Sequence, residues 1–200
     1  MILRSANASP FVRKVRIAAA ILGLESRIKI EAADTADPKD TVRQQNPLGK
    51  IPALVVDDGL VLFDSRVILD YLDHVAGGGR IVPSDPKARF AALRLQALAD
   101  GIMDASILRV YEARWRDPAK HEPKWVDHQA GKVARGLASL EAAPPARDAT
   151  PTVGQIALAC ALGYQDFRFN GIWRQDHPRL VKYLDEFSAA VPAFAATAPA

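Results

Sequence analysis

The sequence is poor in the residues that build crosslinks and metal centres. It has one cysteine, Cys160, which excludes a disulfide framework within one chain and makes a cytoplasmic location the simpler expectation. Its four histidines have no metal-ligand spacing, so we expect no metal site. No apolar run is long enough to span a membrane, and the start lacks the apolar segment of a signal peptide.

Charge gives little support for nucleic acid as a partner. The 26 basic and 23 acidic residues leave a net charge of +3, and neither a basic run nor a nucleic-acid motif is present. A hydrophobic fraction of 49% is ordinary for a globular protein. The 200 residues can bury a sizeable core, in one large domain or two small ones.

Strand and helix patterns alternate over residues 1–76. "MILRSA" and "RIKIEAA" predict strands, with a helix between them that stops at Gly23. The apolar residues of that helix recur at helical spacing: Val12, Val15, Ala19 and Leu22. "NPLGK" predicts a turn, and "IPALVVDDGLVLFDS" predicts a hairpin at Asp58-Gly59, followed by a helix capped by Ser65. The order βαβ-ββα predicts a small mixed sheet.

Strand patterns disappear after residues 77–86, a linker rich in glycine and proline. Residues 87–200 are expected to form an all-helical domain, with helical patterns over residues 87–116, 124–142, 152–169 and 177–191. In the first pattern the expected inward positions are Phe90, Leu93, Ala97 and Met103. The third is unusually apolar and starts with Thr152 and Gln155, which predict a capping box. Cys160, within it, is expected to be buried and unreactive.

Three local features can carry chemistry, and each also has a simpler structural interpretation. Ser9 precedes a proline at a helix start, where a serine is commonly only a cap. Pro52 opens a strand; a cis peptide bond there would open the backbone of Ile51 to a ligand, although trans prolines are commoner. Asp64 and Ser65 precede a helix whose N-terminus could bind a carboxylate, while Asp64 could pair with an ammonium group.

Together these motifs resemble those of the soluble glutathione transferases. "NPLGKIPAL" followed by "FDS" and an apolar helix is similar to the glutathione-binding part of that family, and "SPFVRKVR" is similar to its bacterial YibF-like branch. The resemblance implies a thioredoxin-like N-terminal domain and an all-α C-terminal domain. It also implies a homodimer, with contacts through the long helix of the second domain and through three residues after Ser65: Ile68, Leu69 and Leu72.

The resemblance assigns most of the glutathione contacts to the first domain. Ile51 would hold the cysteinyl part of glutathione through its backbone, with Pro52 in cis. Asp64 and Ser65 would bind the γ-glutamyl end, and Lys50 would neutralise the glycyl carboxylate. Glutathione is then a co-substrate.

Ser9 stands where the family places a residue that contacts the glutathione sulfur, and Asn7 and the backbone of Phe11 are the alternatives. A hydroxyl that donates to the sulfur favours the thiolate, whereas a free thiol has a pKa of about 8.5 and is mostly protonated at neutral pH. Three nearby cations are expected on a solvated helix face: Arg13, Lys14 and Arg16.

The implied reaction is attack of the glutathione thiolate on a small, largely apolar electrophile, as in detoxification. The electrophile would bind between the domains, where the long helix offers lining residues: Met103, Ile107, Arg109, Tyr111 and Trp115. Among these, Arg109 could meet an anionic substrate. Two alternatives stay open. One is a glutathione-dependent disulfide reductase or peroxidase, with glutathione as the only thiol; the other is a non-catalytic module that binds glutathione or a protein.

Overall fold

A computed structural model describes residues 1–199, which fold as a small sheet whose strands alternate with helices, followed by a bundle of helices. The strands are β1 (Ile2–Ser5), β2 (Lys29–Ala32), β3 (Ala53–Val55) and β4 (Val61–Leu62). The helices are α1 (Pro10–Leu22), α2 (Val42–Gln45), α3 (Ser65–Val75), α4 (Pro86–Trp115), α5 (Pro123–Ala142), α6 (Val153–Phe169), α7 (Pro178–Ala190) and α8 (Pro192–Ala196). Short 3₁₀ turns lie at Glu25–Arg27, Pro118–Lys120 and Ile172–Gln175.

The strands form one mixed sheet in the order β2-β1-β3-β4. β1 pairs in parallel with β2, which places Leu3 opposite Ile30, and antiparallel with β3, which places Leu3 opposite Leu54. Gly59 turns the β3–β4 hairpin with a φ of 85°, a value that favours glycine. The predicted βαβ-ββα order is confirmed. The sequence predicts no helix at α2, because four residues are too few to show a helical period.

The ends of the helices follow local sequence signals, with one shift. α1 ends at Gly23 in the left-handed conformation, as predicted. α6 starts with the predicted capping box, since Thr152 N–H donates to the side chain of Gln155 at 2.8 Å. The predicted cap of α3 is wrong by one residue. Asp64 is the N-cap, and Ser65 is the first helical residue.

α6 lies at the centre of the helical part, and its residues from Val153 to Gln165 are all buried. It runs parallel to α4, because Gly154 lies against Ala92 near the start of both helices, and Gln165 donates to Ser106 Oγ at 2.5 Å further along. α1 runs antiparallel to α4 and α6. The Leu22 carbonyl at its C-terminal end accepts from the guanidinium of Arg80, shortly before α4. Arg80 is followed by Ile81, whose carbonyl accepts from the Val153 N–H at the start of α6. These three helices bring the N-terminus of α1 close to the C-terminal halves of α4 and α6.

Several side chains lie on a different side of their helix from the one the sequence predicts. Phe90 and Ala97 of α4 are exposed rather than inward. Arg13 and Lys14 are buried, at 7% and 0% exposure, rather than solvated. The three residues of α3 expected at a dimer interface are also buried in the core: Ile68, Leu69 and Leu72. Periodicity shows which residues share a face, but not which neighbouring element covers it.

The division into residues 1–76, 77–86 and 87–200 stays a prediction, and Ala200 lies outside the described residues. Within residues 1–199, no helix is long and apolar enough to cross a membrane. In the same part of the chain, no three His, Cys, Asp or Glu side chains are grouped so that they could hold a metal ion.

Candidate functional site

Ser9 is the half-buried N-cap of α1. Its Oγ accepts a hydrogen bond from the Val12 N–H at 3.3 Å, and its carbonyl accepts from the Arg13 N–H at 3.1 Å. A hydroxyl can accept with its lone pairs and still donate its own proton. The capping role and a sulfur-contacting role therefore do not compete for Ser9. Asn7, the alternative, is exposed in the preceding turn.

The first turn of α1 also presents a free amide. Pro10 has no N–H, and the N–H groups of Val12 and Arg13 are bonded to Ser9. Within residues 1–199 the Phe11 N–H has no hydrogen-bond partner. It points out of the positive end of a helix. The Ser9 O–H and the Phe11 N–H are thus two donors at one helix end, where a thiolate could accept from both.

The segment before β3 leaves backbone groups open. The Ile51–Pro52 peptide bond is cis, as the family resemblance implies and against the commoner trans form. β3 begins at Ala53, and in the described part of the chain the N–H and C=O of Ile51 form no hydrogen bond. Lys50 is exposed beside them, and its carbonyl accepts from Asn46 Nδ2 at 2.9 Å, which holds the turn. The segment therefore offers an open backbone edge next to a cation.

Asp64 and Ser65 form the start of α3. Asp64 is exposed, and its Oδ1 accepts from the Arg66 N–H at 3.0 Å. Ser65 is 2% exposed, yet among residues 1–199 neither its hydroxyl nor its N–H has a hydrogen-bond partner, and the Val67 N–H is also free. Two free amides and a hydroxyl at a helix N-terminus suit a carboxylate, and the adjacent Asp64 suits an ammonium group.

A buried ion-pair network connects α1 and α3, the two helices whose N-termini carry Ser9 and Ser65, with α4. Asp100 of α4 is 1% exposed; its Oδ1 accepts from Lys14 Nζ of α1 at 2.7 Å, and its Oδ2 accepts from Arg66 Nε of α3 at 2.8 Å. The hydrogen bond to Asp100 raises the pKa of Arg66. Asp104 lies one turn further on, and partial desolvation, together with the charge of Asp100, raises its pKa. Asp100 thus holds α1 and α3 against α4.

The sequence gives no signal for this network. Lys14 and Asp100 are 86 positions apart, and each belongs to an otherwise ordinary helical pattern. Their pairing follows from the packing of α1 on α4, which periodicity cannot specify.

The predicted electrophile residues lie on different faces of α4. Ile107, Tyr111 and Trp115 follow Asp100 by about two, three and four helical turns, so they share the face that Asp100 turns toward α1. Arg109 follows by about two and a half turns and lies on the opposite face. Its guanidinium stacks on the Phe169 ring at 4.1 Å.

Two of the predicted residues, Met103 and Arg109, do not belong to the surface that Ile107, Tyr111 and Trp115 share. Met103 is fully buried in the core, and Arg109 is turned away. Two arginines that the sequence does not single out, Arg114 and Arg168, lie near this surface instead.

Cys160 is a core residue of α6, as predicted. It is fully buried, and burial raises the pKa of its thiol to about 12. A thiol with this pKa is protonated at neutral pH and is a poor nucleophile.

Comparisons with known proteins agree with this geometry. The family model described as "Glutathione S-transferase, N-terminal domain" matches residues 8–75, and that described as "Glutathione S-transferase, C-terminal domain" matches residues 123–186. The chain is 35% identical to the uncharacterized GST-like protein YibF of Escherichia coli K12, over 96% of this chain and 95% of that protein.

Solved structures show the same likeness. A glutathione transferase family member from Pseudomonas fluorescens Pf-5 with bound glutathione is 46% identical, covers 100% of this chain and 98% of its own, and has a TM-score of 0.93. A structure from the same organism with bound S-(propanoic acid)-glutathione is 46% identical, covers 100% of both chains, and has a TM-score of 0.89. The glutathione transferase architecture, with a thioredoxin-like N-terminal domain and an all-α C-terminal domain, is confirmed. The chain belongs to the glutathione S-transferase family.

Proposed function

We propose that the protein is a glutathione S-transferase, which conjugates the thiolate of glutathione to a small electrophile. The observation that carries the proposal is the pair of donors at the start of α1, the Ser9 O–H and the Phe11 N–H. Hydrogen bonds to a sulfur favour its charged form. Each unit by which they lower the thiol pKa corresponds to about 1.4 kcal/mol of preference for the thiolate.

The rest of the site suits the remainder of glutathione. The free amides and hydroxyl at the start of α3 would hold the γ-glutamyl carboxylate, with Asp64 against its ammonium group. The open backbone of Ile51 would pair with the cysteinyl part, and Lys50 would meet the glycyl carboxylate. The relative from Pseudomonas fluorescens, whose structures hold glutathione and S-(propanoic acid)-glutathione, supports this assignment.

In the reaction, the sulfur forms a bond to the electrophilic carbon and the leaving group departs with its electron pair. The thiol proton passes to solvent when glutathione ionises. Ser9 acts by donating a hydrogen bond and forms no covalent bond. The buried, protonated Cys160 gives no support to disulfide exchange through a protein thiol.

We also propose a cytoplasmic homodimer built on the exposed side of α3 and α4. A groove of about 450 Å³ there includes Val67 and Arg89, and a second of about 400 Å³ includes Leu93. Val67, which lines both grooves, is 47% exposed, and Phe90, next to Arg89, is 68% exposed. Exposed apolar side chains that are grouped in this way mark an interaction surface. Sedimentation should show a dimer that Phe90→Asp dissociates. Trp125→Asp, at an exposed position of α5, is the control that should stay dimeric, and a monomeric wild type would contradict the proposal.

The activity is tested with glutathione and 1-chloro-2,4-dinitrobenzene, whose product absorbs light. Calorimetry should show that Ser65→Ala weakens glutathione binding. Ser9→Ala should still bind glutathione but react more slowly at neutral pH, and recover as the pH rises and the thiol ionises. Ser139→Ala, an exposed serine of α5, is the control. A wild type that does not bind glutathione would overturn the proposal.

A further inference from the structure

Arginine and aromatic side chains of α4 and α6 meet at the end of the helical part nearest Ser9. This arginine–aromatic cluster consists of Arg114, Arg168, Tyr111, Tyr164 and Phe167. The Arg168 guanidinium carbon lies 4.2 Å from the centre of the Phe167 ring and 6.0 Å from that of Tyr164. Burial raises the pKa of the Tyr164 hydroxyl, and the charges of Arg168 and Arg114 oppose that shift, with Tyr111 also close.

The register of the helices places the cluster at the level of Ser9. Arg13 of α1 lies against Gly163 of α6, and the two helices are antiparallel. Ser9 is four residues before Arg13, about 6 Å along the axis at 1.5 Å per residue. The contact is made by the Arg13 guanidinium, which leans toward the N-terminus of α1, so an advance of at most that length along α6 from Gly163 reaches the level of Ser9 between Tyr164 and Phe167. The cluster therefore borders the position where the glutathione sulfur would meet Ser9.

The α4 members of the cluster lie on the side of that helix that faces the site. Tyr111 and Arg114 follow Asp100 by about three and four turns, so they share its face. Helical side chains lean toward the N-terminus of their helix. Arg114 therefore leans back over Tyr111, toward the level of Ser9.

The two arginines of the cluster lack acidic partners. Within residues 1–199, neither Arg114 nor Arg168 forms an ion pair, and Arg114 lies 5.5 Å from the ring of Trp115 instead. Five other arginines among residues 1–199 pair with carboxylates: Arg4, Arg66, Arg89, Arg116 and Arg174. Asp104, on the same face of α4, lies nearly three turns from Arg114 and interacts with Arg66 and Lys50.

From these contacts we infer that the arginine–aromatic cluster selects electrophiles that carry a carboxylate on an aromatic or other planar framework. A guanidinium binds a carboxylate through two parallel hydrogen bonds. The rings of Tyr111, Tyr164 and Phe167 offer flat apolar surface to the rest of the molecule. Because conjugation is itself proposed, this selectivity rests on the proposed function.

A suitable probe is 4-chloro-3-nitrobenzoate. The glutathione sulfur forms a bond to the ring carbon, the carbon–chlorine bond breaks, and chloride leaves with the electron pair. The matched neutral probe is the corresponding benzamide, which has nearly the same shape without the charge. Each enzymatic rate is divided by the rate of the same electrophile with glutathione alone, which removes the difference in intrinsic reactivity.

Equilibrium binding provides a readout that does not depend on turnover. Calorimetry would compare glutathione, S-(4-carboxybenzyl)glutathione and S-(4-carbamoylbenzyl)glutathione. The proteins are wild type, Arg114→Gln, Arg168→Gln and the control Arg135→Gln. Arg135 is exposed on α5 and its loss removes the same charge.

We expect wild type to bind the carboxylate conjugate about 10-fold or more tightly than the amide conjugate, as a charge-assisted hydrogen bond allows. Arg114→Gln and Arg168→Gln should lose much of this preference and keep their affinity for glutathione, and Arg135→Gln should keep both. The corrected rates should show the same pattern. If wild type binds both conjugates equally, or if both cluster variants keep the preference, the inference is wrong and the proposed function stands. If glutathione itself does not bind, both fall.

Discussion

Replacing Asp100 by asparagine should cost more stability than removing either of its partners. The Lys14 ammonium is 0% exposed, and the Asp100 carboxylate lies 2.7 Å from it. Asp100→Asn leaves that ammonium buried without its counterion, which costs about 3–5 kcal/mol. Lys14→Met leaves Asp100 paired with Arg66 at 2.8 Å and should cost about 1.5–3 kcal/mol, the value of one charged hydrogen bond. Arg66→Gln should cost less than about 1 kcal/mol, since Arg66 is 50% exposed.

Thermal and urea unfolding, followed by circular dichroism at one protein concentration, would measure these differences. For a chain of this size each kcal/mol shifts the Tm by about 2–4 °C, so Asp100→Asn should lower it by roughly 6–20 °C. The double variant Lys14→Met/Asp100→Leu removes both buried charges and should be more stable than Asp100→Asn alone. Equal losses for Asp100→Asn and Lys14→Met, or no recovery in the double variant, would refute this reasoning.

Three further predictions concern single positions. Cys160, with its thiol pKa raised to about 12, should resist a thiol reagent at pH 8 and react fully in urea; rapid native reaction would contradict its burial. Because the pKa of Asp104 is raised, the folded protein holds the proton of this carboxyl more tightly than the unfolded chain does. The fold therefore loses stability as the pH rises from the ordinary aspartate pKa of 3.8 through the raised pKa of the folded state. Asp104→Asn should therefore increase the free energy of unfolding at pH 7 and lose this advantage below the ordinary aspartate pKa of 3.8; a loss of stability at pH 7 would be the opposite result. Gly154→Ala should cost about 1–3 kcal/mol, because its Cβ would lie 2.5 Å from the Ala92 carbonyl oxygen. Gly101→Ala has nothing within 4 Å and should be neutral or stabilising, so equal effects at the two glycines would contradict the close helix approach.

Elements with a local cause could be predicted from the sequence. Gly23 ends α1 because a left-handed residue closes the helix, and Thr152 with Gln155 opens α6 through a reciprocal cap. The start of α3 differs by one residue because Asp64 and Ser65 can both cap a helix. The extended backbone of Asp64 makes it the cap and leaves the Ser65 hydroxyl free.

Features that depend on packing between distant segments could not be predicted in this way. The periodicity of α1 predicts its apolar face, but not that Lys14 would meet Asp100 across the interface with α4. On α4, Arg109 is the residue that, from the sequence, could meet an anionic substrate, and helical periodicity alone does not point to Arg114 instead. Only the position of α1 relative to α4 shows that Arg114 lies on the side of the site and Arg109 on the opposite side.

The role of Ser9 can be tested directly by titrating the thiol of bound glutathione. The ultraviolet absorbance of the thiolate would be followed against pH in complexes of wild type, Ser9→Ala and the control Ser139→Ala. In wild type and in Ser139→Ala the bound thiol should ionise well below the pKa of about 8.5 of a free thiol, and in Ser9→Ala its pKa should rise. An unchanged pKa in Ser9→Ala would contradict this role, and would mean that Ser9 only caps α1 while the Phe11 amide holds the sulfur.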